Sequence, residues 1–127
     1  MRKFTSILKT AASVLVATSA LALVPVSGAV AADAGTKSVA EQGKEIAFHR
    51  KKGNCLACHA IEGGELAGNI GPPLIAMKAR FPDKAKLRAQ IADATQANPN
   101  SIMPPFGRNQ IISESEIDKI VEFLYTL

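Results

Sequence analysis

Two stretches of the chain carry apolar residues at helical spacing directly behind a capping signal. Ile117, Ile120, Val121 and Leu124 line one stripe, and Ser113-Glu114-Ser115-Glu116 before them has capping-box form, so a helix is predicted almost to the C-terminus. Ser38-Val39-Ala40-Glu41 has the same form, and the segment through Gly43, Ile46 and Phe48 predicts a first helix ending near Gly53. Between them, Asp83 can cap a run in which Leu87, Ile91 and Ala94 recur at one buried face until Asn98-Pro99-Asn100 stops it. A shorter helix is predicted from Pro73 to Arg80, opened by the proline and closed by Phe81-Pro82. No stretch alternates apolar and polar residues as a strand does. The predicted class is all-α, helices joined by loops rich in Gly and Pro.

The N-terminal pattern is of another kind. Arg2, Lys3 and Lys9 precede an apolar run from Ala11 to Val26, and Gly28-Ala29-Val30-Ala31-Ala32 supplies small residues for cleavage after Ala31. This order predicts a cleaved secretory signal peptide over residues 1–31 and a single domain over 32–127. The apolar run is broken by Ser13, Thr18, Ser19 and Pro25 and is short for a span of about 20 residues. No twin-arginine pair opens it and no cysteine follows it to accept a lipid. A periplasmic protein with no membrane anchor is expected.

Composition narrows the remainder. A chain of 127 residues, 47% hydrophobic and 20% charged, suits one folded domain and excludes both a multidomain enzyme and intrinsic disorder. The formal charge of +4 suggests an acidic partner, but the leader holds three of the 15 Lys and Arg and none of the 11 Asp and Glu. The domain is nearly neutral, so nucleic acid is not an expected partner. With no Trp, one Tyr and only two Cys, the core is thin and no disulfide framework can staple it. Something else must fill it.

Cys55-Leu56-Ala57-Cys58-His59 supplies the answer. Cys-x-x-Cys-His is the pattern of covalent c-type haem attachment, in which each thiol adds to a haem vinyl group and the adjacent histidine reaches the iron from one face. A structural zinc site normally takes four Cys or His ligands in two pairs, and beyond this motif the chain offers only His49, with no second ligand pair. A thioredoxin-like pair expects a β-α-β surround, which is missing, and a Cys55–Cys58 disulfide would close too small a loop to stabilise much. One haem c is therefore expected, and the porphyrin completes the core.

The opposite face of the iron decides between electron transfer and chemistry. His49 stands just before the motif, on the segment fixed at the proximal side, and reads as a surface histidine. Met77 reads as core filler in its short helix. Met103 lies in Asn98-Pro99-Asn100-Ser101-Ile102-Met103-Pro104-Pro105-Phe106, where prolines stiffen the loop and bias Met103 to extended geometry. Met103 is the expected sixth ligand, and His59 with Met103 are the expected metal ligands. A thioether favours Fe(II), and an iron with both axial positions filled is left with outer-sphere electron transfer. A carbonyl in Gly71-Pro72-Pro73-Leu74 is a candidate acceptor for the other ring N–H of His59. Arg50-Lys51-Lys52 reads first as a solvated run, with docking to an acidic partner face as the alternative.

In their order, the capped helix, Cys-x-x-Cys-His, Gly-Pro-x-Leu, Met-Pro loop and second capped helix resemble the class I cytochrome c family. The resemblance implies that the first and last helices cross, that the Pro72 carbonyl bonds His59, and that Met103 binds iron. The family commonly sets the glycine and aromatic of its first helix four apart near the haem motif, whereas Gly43 and Phe48 are five apart and Arg50–Asn54 lengthens the link. Gly53-Asn54-Cys55-Leu56-Ala57-Cys58-His59, Gly68-Asn69-Ile70-Gly71-Pro72-Pro73-Leu74 and Asn98 through Arg108 resemble, more narrowly, the SoxX family of small monohaem subunits of SoxAX sulfur-oxidation cytochromes. That resemblance implies a periplasmic heterodimer with a SoxA-like cytochrome. Such a complex acts as an L-cysteine S-thiosulfotransferase, joining thiosulfate oxidatively to a cysteine of the carrier SoxYZ and passing electrons to a downstream acceptor. Both cysteines here are used by haem, so the sulfur-handling residue would be the partner's. A free-standing cytochrome c carrier between respiratory complexes would share every haem residue.

Overall fold

The computed structural model describes residues 36–127, and the leader expected over 1–31 lies outside them. Four α-helices and two 3-10 turns make up the regular structure, with no strand among the described residues. Helix α1 spans Val39–Phe48 and α4 spans Glu114–Leu124. Each starts on a complete capping box. The Ser38 hydroxyl accepts the Glu41 N–H while Glu41 accepts the Ser38 N–H, and Ser113 and Glu116 exchange the same pair. Two of the otherwise orphaned amides at each helix start are thereby satisfied.

Helix α1 stops at Phe48, short of the predicted Gly53. His49 is extended, and the N–H of Gly53 turns back to the Ile46 carbonyl at 3.1 Å. This reversal brings the cysteine motif alongside α1 instead of beyond its end.

Helices α1 and α4 pack on each other through the most extensive contact between elements of the fold. A β-carbon on Gly43 would lie 1.9 Å from the Lys119 carbonyl oxygen, so only glycine permits this crossing. The Phe48 ring meets Phe123 edge-on, centroids 5.8 Å apart. The five-residue spacing of Gly43 and Phe48 thus still lets both reach α4. Ile46, Ala47, Ile117, Ile120 and Leu124 form the buried seam between the helices and the remaining core.

The middle helices are shorter than their patterns suggest. Helix α3 covers Lys84–Ala92, with the Asp83 carboxylate capping the Ala85 N–H at 2.8 Å. Leu87, Ile91 and Ala94 are all buried, as the spacing predicts, yet Asp93 breaks the helix at φ −158° and a separate 3-10 turn, Ala94–Gln96, carries Ala94. Helix α2 is only Met77–Arg80. Pro73 does not start it, because Ala76 takes the left-handed conformation, φ 48°, which a right-handed helix cannot run through. The Tyr125 hydroxyl on the Phe81 carbonyl and the Met77 N–H on the Leu127 carbonyl fasten α2 to the C-terminus. Arg88 of α3 bridges Glu114 and Asp118 of α4, an exposed network whose contribution to stability is small.

Candidate functional site

The cysteine motif is wound into one tight turn. Asn54 enters it in the left-handed conformation, and Cys55–Ala57 form a 3-10 turn. The Cys55 carbonyl then accepts the N–H groups of both Cys58 and His59, at 3.2 and 2.9 Å. Two sulfurs and an imidazole are therefore presented from a single turn. Burial in the folded structure pushes the Cys55 thiol up to about 11.

The loop carrying Gly71-Pro72-Pro73-Leu74 is laced to this turn along its length. The N–H groups of Gly68, Gly71 and Leu74 donate to the carbonyls of Leu56, Cys58 and Ala60 at 2.8, 2.8 and 2.9 Å. Gly71 passes flat against the His59 ring: a β-carbon there would stand 2.4 Å from Cε1. The next residue completes the arrangement, with His59 Nδ1 2.7 Å from the Pro72 carbonyl oxygen. A carbonyl can only accept, so Nδ1 carries the proton and Nε2 keeps its lone pair free for a metal.

These groups open into one cavity of about 770 Å³, within the range of cofactor sites. Cys55, Cys58, His59, Pro72 and Met103 all line it, together with Met77. Its walls are mainly apolar, among them Leu74, Phe81, Leu87, Ile91 and Phe106. Among the described residues no carboxylate lines it, whereas Arg50, Lys51, Lys52 and Arg80 do. Of these, Lys52 is paired with Glu116, and Arg80 donates to the Pro73 carbonyl at 2.8 Å. Arg50 and Lys51 are exposed.

The three candidate distal residues separate by position. His49 is exposed, its Nδ1 accepts the Lys51 N–H at 3.1 Å, and it is not among the cavity-lining residues. Met77 is only 2% exposed, and its sulfur accepts from Arg80 Nη1 at 3.5 Å. Met103 is half-buried in the loop between the Ala94–Gln96 turn and α4, its N–H on the Ser101 hydroxyl at 3.3 Å. Sequence reasoning did not find the role of Gly71. The only signal for Gly71 is a glycine before the proline pair, and a close approach depends on what folds against it.

Residues 38–124 match the family described as cytochrome c oxidase, cbb3-type, subunit III. The match spans most of the chain, which therefore belongs to this family of c-type cytochromes. The chain is also similar to a solved structure, the crystal structure of SoxXA from P. pantotrophus, at 29% identity with a TM-score of 0.63. That similarity covers 72% of this chain and 83% of the other, and the protein is a SoxX-like cytochrome. No curated protein matches the sequence.

Covalent haem c suits this site on the chemistry of its walls. Two thiols and a free imidazole nitrogen face a large apolar cavity without acidic side chains, which accommodates a flat porphyrin. When bound, haem supplies a one-electron iron couple. Cys55 and Cys58 would tether it, and the Pro72 carbonyl would hold the His59 ring in place.

Proposed function

We propose that this chain is the periplasmic SoxX-type subunit of a SoxAX complex, holding one haem and passing single electrons from thiosulfate oxidation. Cys55 and Cys58 form the thioethers, and His59 is the near-side ligand, oriented by the Pro72 carbonyl. Met103 is the sixth ligand. The observation that carries this reading is the hydrogen bond between His59 Nδ1 and the Pro72 oxygen, with Met103 lining the same cavity. A histidine held in one tautomer on one side and a soft thioether on the other leave the iron no open position for oxygen or peroxide.

The division of labour follows from the thiol count. The chain has two cysteines, both in the haem motif, so the cysteine that handles sulfur belongs to a SoxA-like partner, and the thiol to which thiosulfate is joined oxidatively is a cysteine of the carrier SoxYZ. Similarity to SoxXA supports that assembly. Export rests on the predicted signal peptide, residues 1–31, with the domain over 32–127. Among the described residues no helix is long and apolar enough to cross a membrane.

The test is to purify the native protein from the periplasm of cells grown on thiosulfate. Copurification of a larger cytochrome bearing a free cysteine, with thiosulfate-dependent reduction of this chain's haem, is the expected result. A cytochrome that purifies alone and is not reduced by thiosulfate in the presence of periplasmic extract would instead be a free electron carrier.

A further inference from the structure

The Met103 loop is tied at both ends to one short step of the chain. At its start, the Asn98 N–H donates to the Ala94 carbonyl at 3.0 Å. At its end, the N–H groups of Gly107 and Arg108 both donate to the Ala92 carbonyl, at 3.0 and 3.2 Å. Between Ala92 and Ala94 stands Asp93, a carboxylate in a residue only 9% exposed. It accepts from the Thr95 N–H and hydroxyl, from Gln96 Nε2 at 3.1 Å and from Arg108 Nη1 at 2.9 Å. The same Arg108 nitrogen reaches the Thr95 hydroxyl at 2.9 Å.

Asp93 therefore gathers donors from both sides of the loop. Inside the loop Asn98 holds the N–H groups of Asn100 and Ser101 at 3.1 and 2.9 Å, but beyond them Pro104 and Pro105 have no N–H and the Met103 N–H has only the Ser101 hydroxyl. Past Met103, the next main-chain N–H groups to be held are those of Gly107 and Arg108. Termination of α3 alone would need only Thr95 and Gln96, which lie on the adjoining turn. The Arg108 contact spans the loop and has no such local use.

We infer that Asp93 and Arg108 form a positioning pair that holds the Met103 loop against the cavity and slows the departure of Met103 from it. Neither side chain lines the cavity, so both act through the loop. The inference rests on Met103 as sixth ligand, and the experiment separates the two. Ferric holoprotein is mixed with saturating cyanide, whose limiting binding rate reports how fast the sixth ligand leaves. The far-red sulfur-to-iron absorption band and the urea midpoint are recorded alongside. Arg108→Ala, at an exposed residue, and Asp93→Asn should keep the band and raise the limiting rate by about tenfold, the loss of one charged hydrogen bond. Arg108→Lys should fall between them and the native protein. Met103→Ala should lack the band and show no limiting rate. If Met103→Ala keeps the band, the ligand assignment fails. If it loses the band while Arg108→Ala and Asp93→Asn bind cyanide at the native limiting rate, or change it only in step with the urea midpoint, the positioning pair is overturned.

Discussion

Gly43 meets the main chain of Lys119 with no side chain between them. A β-carbon on Gly43 would fall 1.9 Å from the Lys119 oxygen and 2.5 Å from its carbonyl carbon, and backbone in the middle of a capped helix cannot step aside. Helix α4 in turn supplies Ile120 and Leu124 to the cavity wall, so this one contact sets the separation between the cysteine turn and its opposite wall.

Gly43→Ala should therefore destabilise the holoprotein by about 3 kcal/mol, at the upper end of overpacking costs. Urea unfolding followed by helical circular dichroism measures it. An unchanged midpoint would mean that the helices cross elsewhere.

Gly71→Ala should act on the haem site with little effect on the helices. The new β-carbon would press on the His59 ring, displacing it from the Pro72 carbonyl. A histidine that loses this acceptor is a weaker donor to iron, which disfavours the ferric state, so the reduction potential should rise. Pro72→Ala keeps the carbonyl and serves as the control, with a potential close to the native value in the same titration.

Removal of haem should abolish cooperative folding. At about 24 cal/mol per Å³, a cavity of 770 Å³ would cost about 18 kcal/mol. Even a third of that, allowing for collapse and for the open mouth, is about 6 kcal/mol, comparable with the whole stability of a domain, about 5–15 kcal/mol. The haem-free chain should lose its thermal transition and much of its helicity. A cooperative transition in the Cys55→Ala/Cys58→Ala chain would refute this.

Acid should weaken the start of α4. The Lys52 ammonium, the Ser113 N–H and the Ser113 hydroxyl hold the Glu116 carboxyl down to about 2, against 4.5 for the free group. A carboxylate depressed in the native state binds protons less readily there than in the unfolded chain. Its stabilisation is thus complete above about 4.5 and drains away as pH falls toward 2. Glu116→Gln retains the capping-box geometry without the charge. It should flatten the fall of the urea midpoint between those pH values while leaving the helix intact; an identical slope in both proteins would contradict the assignment.

Leu66 is 96% exposed and sits at φ 55°, a conformation that a leucine adopts at a cost. Leu66→Asn should raise stability by about 1 kcal/mol, since asparagine tolerates this region and no packing is lost. Calorimetry on the holoprotein gives the sign directly.

The two long helices were legible because their signals are local. Ser38 with Glu41 and Ser113 with Glu116 each lie within one turn, and apolar residues at helical spacing follow them. The middle of the chain was less legible for the opposite reason. Pro73 suits a helix start by its own geometry, but its segment is laced to Ala60 of another loop and Ala76 turns left-handed before Met77. The run of Leu87, Ile91 and Ala94 truly marks one buried face, yet Asp93 leaves the helix because Thr95, Gln96 and Arg108 compete for its carboxylate.

Residue types at short spacing determined the chemistry: two thiols and an imidazole in five positions, a methionine among prolines, and a capping box at each end. They act through bonds and turns that need no distant partner. Tertiary structure alone decided which glycine touches Lys119, which lies against the His59 ring, and that Asp93 meets Arg108 across the methionine loop. Those are contacts between segments far apart in the chain, and they exist only once packing has brought the backbones together.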